Sequence, residues 1–246
     1  MRKYVNPFVL TLALLGAGCA GPQKSELIVQ GNRQMQGQDF ASAAQSYRLA
    51  QAQEAADDTS LRLAMALIRS DKHSEALGEL AKVKQDSDKS LYLKAACYVA
   101  LNDVPNAERH IEQALQATPS DSLTLALLGQ VKFLQKEYAR SAEAYQDALA
   151  NCSNETMRTK LHYNLAMAQL LAGRFKQADD TFKLYLIKQR FVTAEDNRTA
   201  GAIAYAAGDR ERAFRHWKNL SRKEQQQILN TIADEPQSAA ALAVNR

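Results

Sequence analysis

The stretch YNLAMAQLLAGRFKQADDTFKLYL, residues 163–186, sets the reading of the whole chain. An apolar helical stripe runs through Ala166 and Leu170 and ends at a polar break, Gly173-Arg174. A second stripe then takes Ala178, Phe182 and Tyr185, spaced four and three apart. Apolar residues at these intervals share one helix face. The segment therefore predicts two short amphipathic helices joined by a tight turn. YLKAACYVALNDVPNAERHIEQALQATPSD (92–121) and ALLGQVKFLQKEYARSAEAYQDAL (126–149) repeat the design.

The spacing extends the design to six units. A small residue recurs in the first helix at Gly31, Ala64, Ala95, Gly129, Ala166 and Gly201, in steps of 33, 31, 34, 37 and 35. A second small residue follows twelve places later each time, at Ala43, Ala76, Ala107, Ser141, Ala178 and Ala213. Four further on stands a large residue: Tyr47, Leu80, Ile111, Tyr145, Phe182 and Trp217. This pattern resembles the tetratricopeptide repeat, a helix–turn–helix unit of about 34 residues. The resemblance covers residues 25–221. It implies an all-α, right-handed superhelical solenoid of about six helix hairpins. The small residues let the two helices of a hairpin approach, and the large one is expected to fill the gap to the next unit. One hairpin cannot bury its own face, so stability comes from stacking neighbours.

Turn residues mark the breaks at Gly37-Gln38-Asp39, Asn102-Asp103, Gly173-Arg174 and Gly208-Asp209. Three irregularities stand out: Asp71 at a turn where glycine is common, the short step of 31, and three extra residues within NCSNETMRTK (151–160). They put local turn geometry in question, not the architecture. After Leu220, residues 222–246 read as a capping helix and a tail. Ser221 is a candidate cap, Ile228, Leu229 and Ile232 form one stripe, and Pro236 opens the tail.

The N-terminus has a different plan. Arg2 and Lys3 precede an apolar run, Val5 to Leu15, and a small-residue exit, Gly16-Ala17-Gly18. The run is too short for a membrane-spanning helix, which needs about 20 residues, and fits a signal peptide. The next residue is Cys19. LLGAGC, residues 14–19, resembles the bacterial lipobox, with Gly16 where leucine is usual. The resemblance implies a leader over 1–18, removed on processing, with diacylglycerol and N-acyl chains on Cys19. Residues 19–24 then form a lipidated tether. Three acyl chains anchor firmly where one binds only marginally. Ala20 rather than Asp after the cysteine implies the outer membrane, facing the periplasm.

Charge and motifs narrow the chemistry. Of 31 Lys and Arg, losing Arg2 and Lys3 leaves 29 against 27 acids, and no basic stripe of the kind nucleic-acid binding needs. The sequence contains no HExxH, GxSxG, CxxC or phosphate loop, and His73, His110, His162 and His216 fall in four different units. These features predict no enzyme, no metal and no small-molecule substrate. The acyl chains on Cys19 are the only non-protein groups expected. Cys97 and Cys152 could pair in an oxidising compartment, but they sit at different heights of the stack. Cys97 reads as a small core residue and Cys152 as a loop thiol.

Function is then expected to be protein binding. The repeat family lines its concave face from positions around the first small residue. Here these supply Ile28, Asn32, Met35, Leu61, Met65, Ile68, Tyr92, Val99, Gln130, Phe133, Tyr163, Met167, Leu170, Arg198 and Tyr205. This list mixes core and groove residues. Its candidate groove set is Asn32, Leu61, Met65, Tyr92, Gln130, Phe133, Tyr163, Met167 and Tyr205. So apolar a set predicts an apolar helix or peptide as the ligand. YNLAMAQLLAGRFKQADDTF and EDNRTAGAIAYAAGDRERA (195–213) resemble the later repeats of the Tad (tight-adherence) pilus assembly lipoproteins. That resemblance implies pilotin-like help to a secretin subunit. A scaffold that positions cell-wall enzymes, or serves another envelope complex, is the alternative.

Overall fold

The computed structural model describes residues 22–233. The expected leader, the lipidation site Cys19 and the tail from Pro236 onward lie outside the described residues. Among those residues there are thirteen α-helices and no strand. Twelve form six consecutive hairpins: α1 (Lys24–Gln36) with α2 (Phe40–Gln53), α3 (Asp57–Arg69) with α4 (His73–Leu80), and α5 (Asp88–Ala100) with α6 (Val104–Ala117). Then come α7 (Ser122–Leu134) with α8 (Tyr138–Asn151), α9 (Glu155–Leu171) with α10 (Phe175–Ile187), and α11 (Ala194–Ala206) with α12 (Arg210–His216). The last helix is α13 (Arg222–Ala233). From α1 to α12 each helix packs on its neighbours in sequence, and α13 packs back on α11, so the chain is a one-dimensional stack. No described helix is long and apolar enough to cross a membrane.

The small residues sit where the helices cross. Ala64, Ala95, Ala166, Ala43, Ala76, Ala107, Ser141, Ala178 and Ala213 are all fully buried, and the three glycines are buried too. The large residues share clusters with the next unit, Tyr47 with Leu63 and Tyr145 with Leu161, and they also fill space within their own hairpin. A Cβ built on Gly31 would fall 2.5 Å from the Tyr47 ring, one on Gly129 2.7 Å from Tyr145, and one on Gly201 2.1 Å from Trp217. These rings therefore fill space inside their own hairpin, over the glycine sixteen residues earlier. The array matches the two positions by volume: glycine faces Tyr, Tyr and Trp, and alanine stands opposite Leu80, Ile111 and Phe182.

All six hairpins turn the same way. A left-handed residue stands seven places after each first-helix small residue: Gln38 (φ 61°), Asp71 (62°), Asn102 (58°), Lys136 (62°), Gly173 (75°) and Gly208 (91°). The next amide reaches back to a carbonyl five residues earlier, as from Asp39 to Gln34 (2.9 Å), Asp103 to Tyr98 (2.8 Å) and Asp209 to Ala204 (2.9 Å). This is the Schellman closure, which satisfies carbonyls that a helix end leaves open. Asp39, Asp103 and Asp209 then cap the second helices, accepting from the amides of Ser42, Asn106 and Arg212. At the first turn the left-handed residue is Gln38, not the neighbouring Gly37, whose φ is −76°.

The irregular steps have simple outlets. The step of 31 shortens α4 to 8 residues. The step of 37 lengthens α9 to 17 residues, against 13 for the other first helices, adding about one turn at its start. Ser221 and Glu224 form a reciprocal cap on α13, with Ser221 N donating to Glu224 Oε2 (2.8 Å) and Glu224 N donating to Ser221 Oγ (3.3 Å). Ile228 and Ile232 close over Trp217 and the α11 core. Cys97 and Cys152 are free and buried, in different clusters. Cys152 lies in the loop after α8, as expected, and its side chain is buried there at 5% exposure.

Candidate partner-binding face

Successive first helices approach one another, α3 on α5 and α5 on α7. They line one side of the stack, which in a solenoid of this fold is the concave one. Along this surface Leu61, Met65, Tyr92, Phe133, Tyr163 and Tyr205 are half-buried. Each has one flank against the core and one open. Leu61, Met65 and Tyr92 rest on the cluster of the first three units, and burial pushes the Tyr92 phenol up. Phe133 touches two clusters and meets the edge of Tyr138 at 5.4 Å between centroids. Tyr163 meets Tyr185 edge-on at 5.3 Å and tilts toward Phe182 at 6.0 Å. Tyr205 stacks on Trp217 at 6.2 Å and lies under the Arg210 guanidinium at 5.7 Å. Such aromatic pairs fix the ring orientations of Phe133, Tyr163 and Tyr205.

Other members of the expected lining have different places. Met167 is only 6% exposed and belongs to the core of the last two units, so its thioether is not available to a ligand. Leu170 and Val99 are buried as well. Leu170 joins the same cluster as Met167, and Val99 packs with Ala107, Ile111 and Val131. Gln130 is exposed. Asn32 is half-buried and already engaged: its Oδ1 accepts from Tyr47 Oη (2.8 Å) and from Arg62 Nη1 (3.0 Å). Arg62 in turn holds Asp58 through Nε (2.7 Å). This chain of contacts staples the first unit to the second. Arg198 is tied to the cap, its carbonyl accepting from Trp217 Nε1 (3.1 Å) and its guanidinium 3.5 Å from Glu224.

The sequence reading missed one feature. The extra turn of α9 raises Thr156, Thr159 and Lys160 beside Tyr163 and Asn164, facing Tyr185, Lys188 and Gln189 at the end of α10. Together they line an open cleft of about 530 Å³. Lys188 also reaches across to Glu155 at the start of the extra turn. The signal was the long step of 37 residues, which marks where an otherwise regular helix gains a turn. The cleft adjoins the apolar row at Tyr163 and sets polar side chains beside it.

The histidines contribute no shared chemistry. His110 stacks on Tyr98 at 5.5 Å, and His162 is 5% exposed, its Nδ1 having no hydrogen-bond partner. His216 Nδ1 lies 3.1 Å from Asn197 Oδ1. His73 Nε2 lies 2.8 Å from Asp71 Oδ1. Among the described residues no three His, Cys, Asp or Glu side chains converge as a metal would require.

Solved structures share this architecture. PilF of Pseudomonas aeruginosa superposes with a TM-score of 0.69 at 17% identity, over 86% of this chain and 97% of its own. PilW, a widely conserved type IV pilus biogenesis factor, gives 0.69 at 20% identity, over 85% and 98%. A chain of the Cut9–Hcn1 hetero-tetramer of the APC/C gives 0.70 at 15% identity over 91% of this chain, which spans only 42% of its length. The fold is a tetratricopeptide-repeat solenoid. At these identities the likeness is one of fold. No protein-family model matches the chain, and no curated protein matches it.

Proposed function

We propose that the protein is a membrane-anchored repeat scaffold that binds a protein partner and assists assembly of a pilus or secretion machine. The observation that carries this reading is the open apolar row Leu61, Met65, Tyr92, Phe133, Tyr163 and Tyr205 along the inner face. It suits an amphipathic helix or extended apolar segment laid across successive units. The near-complete overlap with PilF and PilW supports the pilus context. The lipobox at Cys19 supports lipid attachment to the outer membrane, facing the periplasm. The resemblance to Tad lipoproteins narrows the partner to a secretin subunit and the role to pilotin-like help.

The test is capture from detergent-solubilised membranes. The full-length protein is expected to recover a secretin subunit. Phe133→Glu/Tyr163→Glu is expected to lose it while keeping its helical circular dichroism. Because Tyr163 also packs on Phe182, Gln130→Lys at an exposed position serves as a second variant that leaves the core intact. Recovery of cell-wall enzymes without any secretin would favour the alternative scaffold, and undiminished capture by both variants would move the interface off the inner face.

A further inference from the structure

A second surface lies away from the inner face. Four of the ten exposed large apolar side chains among the described residues fall within nine positions: Leu184 (48% exposed), Ile187 (78%), Phe191 (75%) and Val192 (45%). Ile187 and Phe191 are the most exposed of the ten by a wide margin. Leu184 and Ile187 lie three apart at the end of α10 and so share a helix face. Phe191 and Val192 follow in the loop to α11.

The surroundings restrict what covers them. From Lys183 to Val192 the chain has three cations and no acid. Lys183 is held by Asp179 and Asp180 and Lys188 by Glu155, while Arg190 takes part in no described ion pair. Its guanidinium lies 5.4 Å from the centre of the Phe191 ring. Bulky side chains that project from a helix end and a short loop, with a cation alongside, match the interfacial layer of a bilayer. There the apolar tips enter the acyl boundary and the cation stays with anionic headgroups. We infer that the α10–α11 loop is a membrane-contact element, with Ile187 and Phe191 inserting into an anionic lipid surface and Arg190 at headgroup level. It is separate from lipidation at Cys19 and lies at the far end of the array from the first repeat.

The test uses the chain from Ala20 onward, which lacks Cys19 and retains all thirteen helices. It is floated with vesicles of phosphatidylcholine alone or mixed with phosphatidylglycerol. The expected result is binding that is stronger with phosphatidylglycerol and at least tenfold weaker in Ile187→Glu/Phe191→Glu. Both side chains are too exposed for these changes to unfold the array, and an unchanged melting temperature confirms that. In a Phe191→Trp variant, the new indole is expected to shift to shorter wavelength on binding and to be quenched by brominated acyl chains. No flotation, flotation indifferent to the paired substitution, or an unquenched indole would each overturn the proposal. So would a dimer seen by light scattering that the same pair abolishes, which would assign the patch to a second copy of the chain.

Discussion

Gly201 lies directly beneath the indole of Trp217: a Cβ at position 201 would stand 2.1 Å from Nε1, which donates to the Arg198 carbonyl. No side chain fits there unless the ring moves, and the ring is sealed on its far side by Ile228 and Ile232. Gly201→Ala is therefore expected to destabilise the chain by about 2 kcal/mol, within the usual range for overpacking. The alanine-over-phenylalanine pair of α9 and α10 suggests the remedy. Gly201→Ala/Trp217→Phe is expected to cost less than the sum of the two single changes, as read by a double-mutant cycle in urea. Simple additivity would show that the two positions are not matched by volume.

The left-handed turns give a prediction of opposite sign. Four of the six turns place a side chain where L-residues are strained, at about 1–2 kcal/mol for a left-handed conformation. Lys136→Gly and Gln38→Gly are each expected to stabilise by roughly 0.5–1 kcal/mol, after the extra freedom glycine gives the unfolded chain. Gly208→Ala is expected to destabilise although a Cβ there meets no atom within 4 Å, because the cost lies in the backbone. Thermal melts of the three variants would decide the matter.

The rhythm of small, small and large residues was readable because each of those positions is a helix crossing, and crossings admit few volumes. The side-chain lining was less readable. Met167 and Tyr163 are four apart on α9, yet one is sealed and the other half-open, since a small rotation of the helix separates core from surface. Gly37 drew the eye as the turn glycine, but the left-handed position is fixed by its distance from Gly31 and falls on Gln38. The extra residues after α8 looked like loop, and helix propensity with a good Asn154 cap drew them into α9 instead.

Acid is expected to weaken the protein in two stages. Burial holds His110, His162 and His216 below their ordinary value, with nearby Arg and Lys charges acting in the same direction. The unfolded chain thus takes up protons at about pH 6.5 while the folded chain resists them, so stability is full above that value and falls as the pH drops below it. Glu108, kept low by the Lys132 ammonium, adds a second loss as pH falls below about 4.5. Melting temperatures across pH 4–8 should show both, and His162→Gln should flatten the first. A flat profile between pH 7 and 5 in the unaltered chain would contradict this reading.

Thiol chemistry offers a direct check of the core. Burial pushes the Cys97 thiol up to about 12, so it stays protonated and unreactive at pH 8. Cys97 and Cys152 are expected to ignore a thiol reagent in the native chain from Ala20 onward and both to react in denaturant. Two reactive thiols before denaturation, or none after it, would conflict with the structure.

The unequal layers have a mechanical meaning. With four apolar clusters strung along the chain and neighbours coupled only to neighbours, the array is a spring whose stiffness is set coil by coil. Its second and sixth coils, closed by an α4 of 8 residues and an α12 of 7, are the softest, and the fifth, braced by the long α9, is the stiffest. Pulled along its axis, such a spring stretches at its second and sixth coils while the fifth keeps its shape.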